Sequence, residues 1–281
     1  MFNLALVGTG RWGKNYIKTI EPLKNCQLPD KYQKNRDYED LFKYKEIDGI
    51  IIATPASTHF KIARDCLKRG YNLLIEKPLT TSYKEAQELW KIYKRQEVVV
   101  LIGHLQLYDP AYSKIRQVLK KVGKLKRLTY QGLQSPVRGD TTLLWDWGPH
   151  PISLFLDLIG KEPLSVSAKN SSEDTVHIDF KFPGQISAEI DIGWTAPERR
   201  RYLSIEGTNG LLVLDSSSET KKLYFVDTKT SRKQALDFPT RHLPLELEIS
   251  EFVRCIKSGK EPRTSLRQGV QVVKIIDSLP T

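Results

Sequence analysis

Leu4-Ala5-Leu6-Val7-Gly8-Thr9-Gly10-Arg11-Trp12-Gly13 sets a short, wholly apolar run directly against three glycines spaced G-x-G-x-x-G. A continuous apolar run suits a strand buried on both faces, and the stretch from Arg11 onward reads as a helix, so the glycines occupy a strand-to-helix turn. There each glycine has its own task. One permits a tight turn, one lets the backbone approach a pyrophosphate, and one lets helix and strand pack closely. The helix start adds free N–H groups and a partial positive charge. Gly8, Thr9, Gly10, Arg11, Trp12 and Gly13 therefore predict a dinucleotide-binding loop; the plain alternative is a glycine-rich turn without a ligand.

Working outward, further apolar runs at 49–53, 72–75 and 97–102, with a weaker one at 25–28, alternate with helix-like stretches. That rhythm is βαβ and predicts a Rossmann-type parallel sheet. Ser82-Tyr83-Lys84-Glu85 has the spacing of a capping box and opens a helix reaching to about Arg95. The character changes near 109. Val176 to Phe182 alternates apolar and polar residues, Pro183-Gly184 follows, and Ile186 to Trp194 resumes the alternation, which predicts an antiparallel hairpin with one buried face. Shorter strands at 202–206, 211–215 and 223–226 and helices at 244–257 and 266–279 complete the reading. The chain is thus expected to divide into an α/β domain, 1–108, and an α+β domain built on a mainly antiparallel sheet, 109–281.

The 281 residues suffice for two compact domains. A net charge of +11 comes from Lys and Arg spread along the whole chain, which argues against a nucleic-acid partner and for a basic surface favouring an anionic cofactor or substrate. No run approaches a membrane span, and the opening residues do not read as a signal peptide. Cys26, Cys66 and Cys255 are an odd, scattered set, so reduced thiols, a cytoplasmic location and no metal are expected.

An acidic residue about 20 positions beyond the glycines normally holds the adenosine ribose. Asp30 stands at that distance and places NAD ahead of NADP, although Pro29 before it also suits a simple turn. Lys31 and Arg36 would instead suit a 2′-phosphate.

Three further stretches carry a resemblance: Ala53-Thr54-Pro55-Ala56-Ser57-Thr58-His59, Glu76-Lys77-Pro78, and Trp145-Asp146-Trp147-Gly148-Pro149-His150. With the glycine motif, and in this order and spacing, they resemble the glucose-fructose oxidoreductase, inositol dehydrogenase and rhizopine-catabolism family, Gfo/Idh/MocA, over nearly the whole chain. The resemblance implies a Rossmann domain, a second domain with a large open sheet for substrate binding and oligomerisation, and hydride exchange between a nicotinamide and a carbon of a sugar, nucleotide-sugar or cyclitol. By position, Ala53, Thr54, Pro55 and His59 look like the nicotinamide-side wall. Glu76 and Lys77 look like the family's Glu-Lys-Pro motif, with Lys77 reaching the reacting hydroxyl, and Asp146 and His150 look like its Asp-x-x-x-His pair. The chain departs from the pattern at Ser153, where many members have Asp, at Leu107, where many have Arg, and in its shortened second βα unit. A tetrapyrrole-reductase-like enzyme and a catalytically silent dinucleotide-binding regulator are the competing readings.

The same residues make chemical sense unaided. Oxidising an alcohol needs a hydride acceptor and a group to take the hydroxyl proton. Lys77, at the end of a parallel strand, stands where open α/β sheets place ligands. Pro151 predicts a helix start with His150 at its boundary. The helix end favours a neutral ring and Asp146 favours the cation, which suits a group that accepts and returns a proton. His59 reads as a wall residue, and Trp145 and Trp147 suit a core or a sugar face equally. The alternate polar positions His177, Asp179, Lys181, Ser187, Glu189 and Asp191 define a second sheet face expected to join subunits as a dimer or tetramer.

Overall fold

Leu4, Ala5, Leu6 and Val7 have no exposed surface, because neighbours lie on every side of the strand they form. In the computed structural model, which describes all residues except 36, 135, 136, 138, 140, 173, 219, 221, 280 and 281 and the side chains of 170–172, β1 (Phe2–Val7) runs parallel to β4 (Gly49–Ile52). β5 (Leu73–Glu76) and β6 (Val100–Gly103) extend the sheet in parallel register. The other neighbour of β1 is a strand in two pieces. β2 (Cys26–Gln27) pairs with Phe2 and Asn3, β3 (Gln33–Lys34) pairs with Leu6 and Val7, and a 3-10 turn, Asp30–Tyr32, separates them.

Helices cover both faces of this sheet. Leu4, Leu6, Ile51, Leu74 and Leu101 form one core with Tyr16 and Ile20 of α1 (Arg11–Ile20) and with Ile249, Phe252 and Val253 of α7 (Pro244–Ser258). On the opposite face α8 (Leu266–Asp277) packs on β6 and on α3 (Tyr83–Tyr93), which in turn meets α2 (Ala56–Leu67). Helix α3 starts where the capping-box spacing predicts, but the Ser82 side chain makes no capping hydrogen bond.

The closing helices correct the sequence-based division. The chain forms one compact unit from Met1–Tyr108 with His242–Asp277 and a second made chiefly of Asp109–Arg241, so α7 and α8, assigned by order to 109–281, complete the first unit. The reason is local fit. Gly49 leaves a notch in which the Phe252 ring lies, and a β-carbon there would stand 2.8 Å from that ring. Before α8, Thr264 accepts the Ile102 N–H at 2.7 Å and Ser265 bridges Leu101, covering the edge of β6.

The second unit holds, among the described residues, an eight-stranded sheet in the order β14-β13-β12-β11-β7-β10-β9-β8. Its strands are β7 (Leu125–Leu133), β8 (Ser165–Ser172), β9 (Thr175–Phe182), β10 (Ile186–Gly193), β11 (Arg200–Gly207), β12 (Gly210–Asp215), β13 (Lys222–Asp227) and β14 (Lys233–Ala235). β7 and β10 run parallel and the other described neighbours antiparallel. The expected hairpin is β9–β10, turning through Gly184 and Gln185 in the left-handed region. Ile178, Phe180, Ala188, Ile190 and Ile192 are buried on the face that meets α6 (Pro149–Ile159), where Phe155 lies edge-on to Phe180 at 5.9 Å. Helices α4 (Pro110–Val118) and α5 (Leu143–Trp147) complete the unit.

The opposite face is polar and paired. His177 bonds Asp191 at 2.7 Å and Asp179 at 3.2 Å, and Glu189 meets Arg127 at 3.2 Å. The carboxylates, Asp191 foremost, raise the His177 pKa. Among the described residues no helix is long and apolar enough to cross a membrane.

If α7 belongs to the core of the first unit, removing its central side chain is costly. Phe252→Ala is expected to destabilise the protein by about 3–5 kcal/mol, read by urea denaturation. A loss below about 1 kcal/mol, the range of surface changes, would contradict this placement.

Candidate active site

The turn after β1 is built by exclusion. Gly8 has φ +99, and a β-carbon there would lie 2.6 Å from the Ala53 carbonyl carbon and 2.7 Å from the Thr54 nitrogen. Its N–H donates to the Lys34 carbonyl at 2.8 Å. At Gly13 a β-carbon would collide with the Gly8 carbonyl oxygen, so only glycine lets α1 press onto the turn. Gly10 differs: apart from its chain neighbours, no described residue has an atom within 4 Å of a β-carbon position there. It is the N-cap of α1, supplies no side-chain cap, and is followed by an exposed Arg11 and half-buried Trp12. Bare helix N–H groups facing open space, with Thr9 beside them, fit a pyrophosphate.

The ends of β4 and β5 assemble beside this turn. Ala53 donates its N–H to the Val7 carbonyl at 2.8 Å, Thr54 shares a 2.7 Å hydroxyl bond with Thr58, and Pro55 caps α2. The buried His59 ring lies 2.8 Å from the Pro78 carbonyl and 2.9 Å from that of Thr54, tying the two strand ends together. Burial lowers its pKa against the pull of those carbonyls, and the Lys77 charge lowers it further.

Around the half-buried Lys77 lies a group of buried ionisable side chains. The Tyr16 hydroxyl donates to Glu76 at 2.8 Å, and the Lys77 N–H donates to the other Glu76 oxygen at 3.2 Å. Burial raises the Glu76 pKa, opposed by these bonds and by the Lys77 charge. His104 is buried with no partner for either ring nitrogen among the described residues, and burial together with the Lys77 charge pushes its pKa down to about 3. Glu248 of α7 is fully buried, its oxygens likewise unpartnered, and burial and the neighbouring Glu76 raise its pKa well above the carboxylate range. Burial thus works against charge on each of these side chains. Sequence reasoning passed over Tyr16 and Glu248 and left His104 unassigned. For Tyr16 the signal was its helical spacing of three from Gly13, on the buried face.

In the second unit Asp146 and His150 lie one helical turn apart. Gly148 is itself helical, at φ −52 and ψ −39, so α5 runs into α6, and the i,i+4 spacing puts both residues on one face. This corrects the expected helix start at Pro151. The path is already helical ahead of His150, and Pro149 and Pro151 interrupt only the hydrogen-bond ladder, because neither has an N–H. The bare helix end expected to act on the imidazole is therefore not its setting. Asp146 is buried. Ser153, also buried, donates its hydroxyl to the His150 carbonyl at 2.8 Å. The Trp147 ring lies edge-on to His150 at 5.6 Å and beneath the Arg201 guanidinium at 4.2 Å. Arg201 also donates to the carbonyls of Leu133 and Gln134.

Asp30 is not where the 20-residue rule expects it. It lies in the 3-10 turn between β2 and β3, where its carboxylate accepts from the Gln33 side chain at 2.9 Å. Lys31 pairs with Glu46 at 3.3 Å in the same region, and Arg36 lies outside the described residues. The 3-10 turn breaks the strand that follows α1, so Gln33 and Lys34 take the place at the end of β1 that the sequence reading gave to the strand beginning near Asn25.

A glycine-walled turn with an open helix N-terminus, at the C-terminal edge of a doubly covered parallel sheet, defines a Rossmann dinucleotide-binding unit. The family model described as "Oxidoreductase family, NAD-binding Rossmann fold" matches residues 26–104, and that of the GFO/IDH/MocA C-terminal domain matches 130–213. A UDP-N-acetylglucosamine 3-dehydrogenase of Acidithiobacillus ferrooxidans is 34% identical over 76% of this chain and 72% of its own length. The NAD-dependent scyllo-inositol 2-dehydrogenase of Bacillus subtilis is 23% identical over 92% of this chain and 87% of its own. A solved Magnetospirillum magnetotacticum protein superposes with a TM-score of 0.90 at 28% identity, covering 99% of each chain. The chain belongs to the Gfo/Idh/MocA family. It is an NAD(P)-dependent oxidoreductase acting on CH–OH groups.

The open space at Gly10 yields a test that separates binding from folding. Gly10→Ala is expected to leave the melting temperature unchanged, because nothing contacts the added methyl. It should weaken NAD(P)H binding in a fluorescence titration about tenfold or more, since the methyl occupies the approach to the helix N–H groups. Unaltered affinity would place the pyrophosphate elsewhere.

Proposed function

We propose that this enzyme exchanges a hydride with a ring carbon of a nucleotide-linked sugar, and that Lys77, Asp146 and His150 carry the proton chemistry. The observation that carries the substrate class is Trp147, which has His150 at its edge and Arg201 over its face. An indole beside a guanidinium suits a substrate with an apolar sugar face and an anionic group, and the net charge of +11 acts in the same direction. The 34% identical relative, which by its name acts on UDP-N-acetylglucosamine, supports the same class.

The bound nicotinamide supplies the hydride acceptor or donor. Gly8, Thr9, Gly10, Arg11, Trp12 and Gly13 hold the pyrophosphate, and Ala53, Thr54, Pro55, His59 and Glu76 line the nicotinamide side. Lys77 directs its ammonium to the reacting oxygen and polarises it. His150, oriented by Asp146, takes the hydroxyl proton during oxidation and returns it during reduction. We further propose that the polar β7–β10 face joins chains into a dimer or tetramer; sedimentation equilibrium at micromolar concentration should return an oligomer, and a monomer would exclude it.

Turnover on a panel of UDP-sugars and free inositols tests the substrate class: oxidation of the inositols alone would overturn it. With the best substrate, Lys77→Ala and His150→Ala should each bind NAD(P)H normally and lose about 100-fold or more in kcat. A variant within threefold of wild type would remove that residue from the mechanism.

A further inference from the structure

We propose that this enzyme selects NADP(H) over NAD(H), and that the Lys34 ammonium recognises the 2′-phosphate. The inference rests on dinucleotide binding in the first unit and is independent of the substrate class.

In a Rossmann unit the 2′ position of the adenosine ribose is read by the residue at the C-terminal end of the strand beside β1, next to the glycine turn. In this chain the break in that strand decides which residue this is. β2 pairs only with Phe2 and Asn3, at the start of β1, and the backbone leaves it at Leu28-Pro29. Asp30 falls in the turn that follows and is held there by Gln33. β3 then pairs Gln33 with Leu6 and Lys34 with Val7, and the Lys34 carbonyl accepts the N–H of Gly8, the first glycine of the loop. Lys34 therefore holds the strand-end position at the glycine turn, and Asp30 does not.

The chemistry of the side chain points to phosphate. A lysine ammonium has three donors and no acceptor. It cannot accept the two ribose hydroxyl hydrogens as a carboxylate does, but it matches the oxygens of a phosphate dianion. Its ion pair with Asp40 is long, at 3.8 Å, and Asp40 is shared with Lys43 at 3.6 Å. Such a half-exposed contact is weak and gives way readily to a doubly charged partner. Asp37, exposed three residues further on, is the rival reader and would favour the unphosphorylated cofactor.

Fluorescence titration of the whole chain with NADPH and NADH decides the matter without any substrate. NADPH is expected to bind at least about tenfold more tightly at low ionic strength, the scale of one charge-assisted contact, with the gap narrowing as salt is added. Lys34→Met keeps the backbone bond to Gly8 and should weaken NADPH about tenfold while leaving NADH within threefold. Lys34→Glu should reverse the preference. NADH binding as tightly as NADPH in the wild type overturns the proposal, as does Lys34→Met weakening both cofactors equally, which would make Lys34 part of the scaffold. Failure of both cofactors to bind would overturn it together with the dinucleotide reading, while activity on inositols alone would leave it standing.

Discussion

The contact of α1 with the end of β1 is the constraint on which the first unit depends. Gly13 sits against the Gly8 carbonyl, and Gly8 sits against the Ala53–Thr54 peptide at the end of β4. Three backbone segments thereby meet at distances that no β-carbon permits. This contact fixes where α1 begins, how its N–H groups face out at Gly10, and where β4 delivers Thr54 and His59. The same helix carries Tyr16 to the end of β5, where it holds Glu76 beside Lys77. One steric condition thus links the cofactor loop to the lysine that stands at the next strand end.

A second condition is electrostatic. Burial disfavours charge in the group near Lys77, because removing an ion from water costs more than most partners return. Burial lowers the pKa of His59 and His104 and raises that of Glu248, in each case against the charged form. In the second unit the division is different. Asp146 and His150 share a helical face, Trp147 links His150 to Arg201, and the far side of the sheet carries paired charges around His177 and Glu189. A buried apolar face and a solvated charged face follow from the same alternation along the strands.

Much of this was readable from residue order. Strands buried on both faces are apolar throughout, so β1, β4, β5 and β6 announced themselves, and strict alternation announced β9 and β10. β7, β8 and β14 carry mixed or polar residues and gave no such period. The glycine loop and the Glu76-Lys77 and Asp146–His150 pairs were legible because their spacing is local. Two assignments failed where spacing had to stand in for topology. Counting twenty residues from Gly10 to a ribose-binding acid assumes that an unbroken strand follows α1, whereas a 3-10 turn splits that strand and holds Asp30. Assigning 244–279 to the second domain followed chain order, whereas the notch at Gly49 recruits Phe252 to the first.

The sequence by itself determined the strands buried on both faces, the alternating hairpin, the glycine turn and the identity of the catalytic candidates, because those properties depend on periods and spacings of a few residues. Only the tertiary structure decided which strand end reaches the glycine turn, which unit the closing helices complete and which acids and bases are buried near Lys77. Those outcomes depend on contacts between segments far apart in the chain, where steric fit and desolvation, rather than local pattern, select the partner.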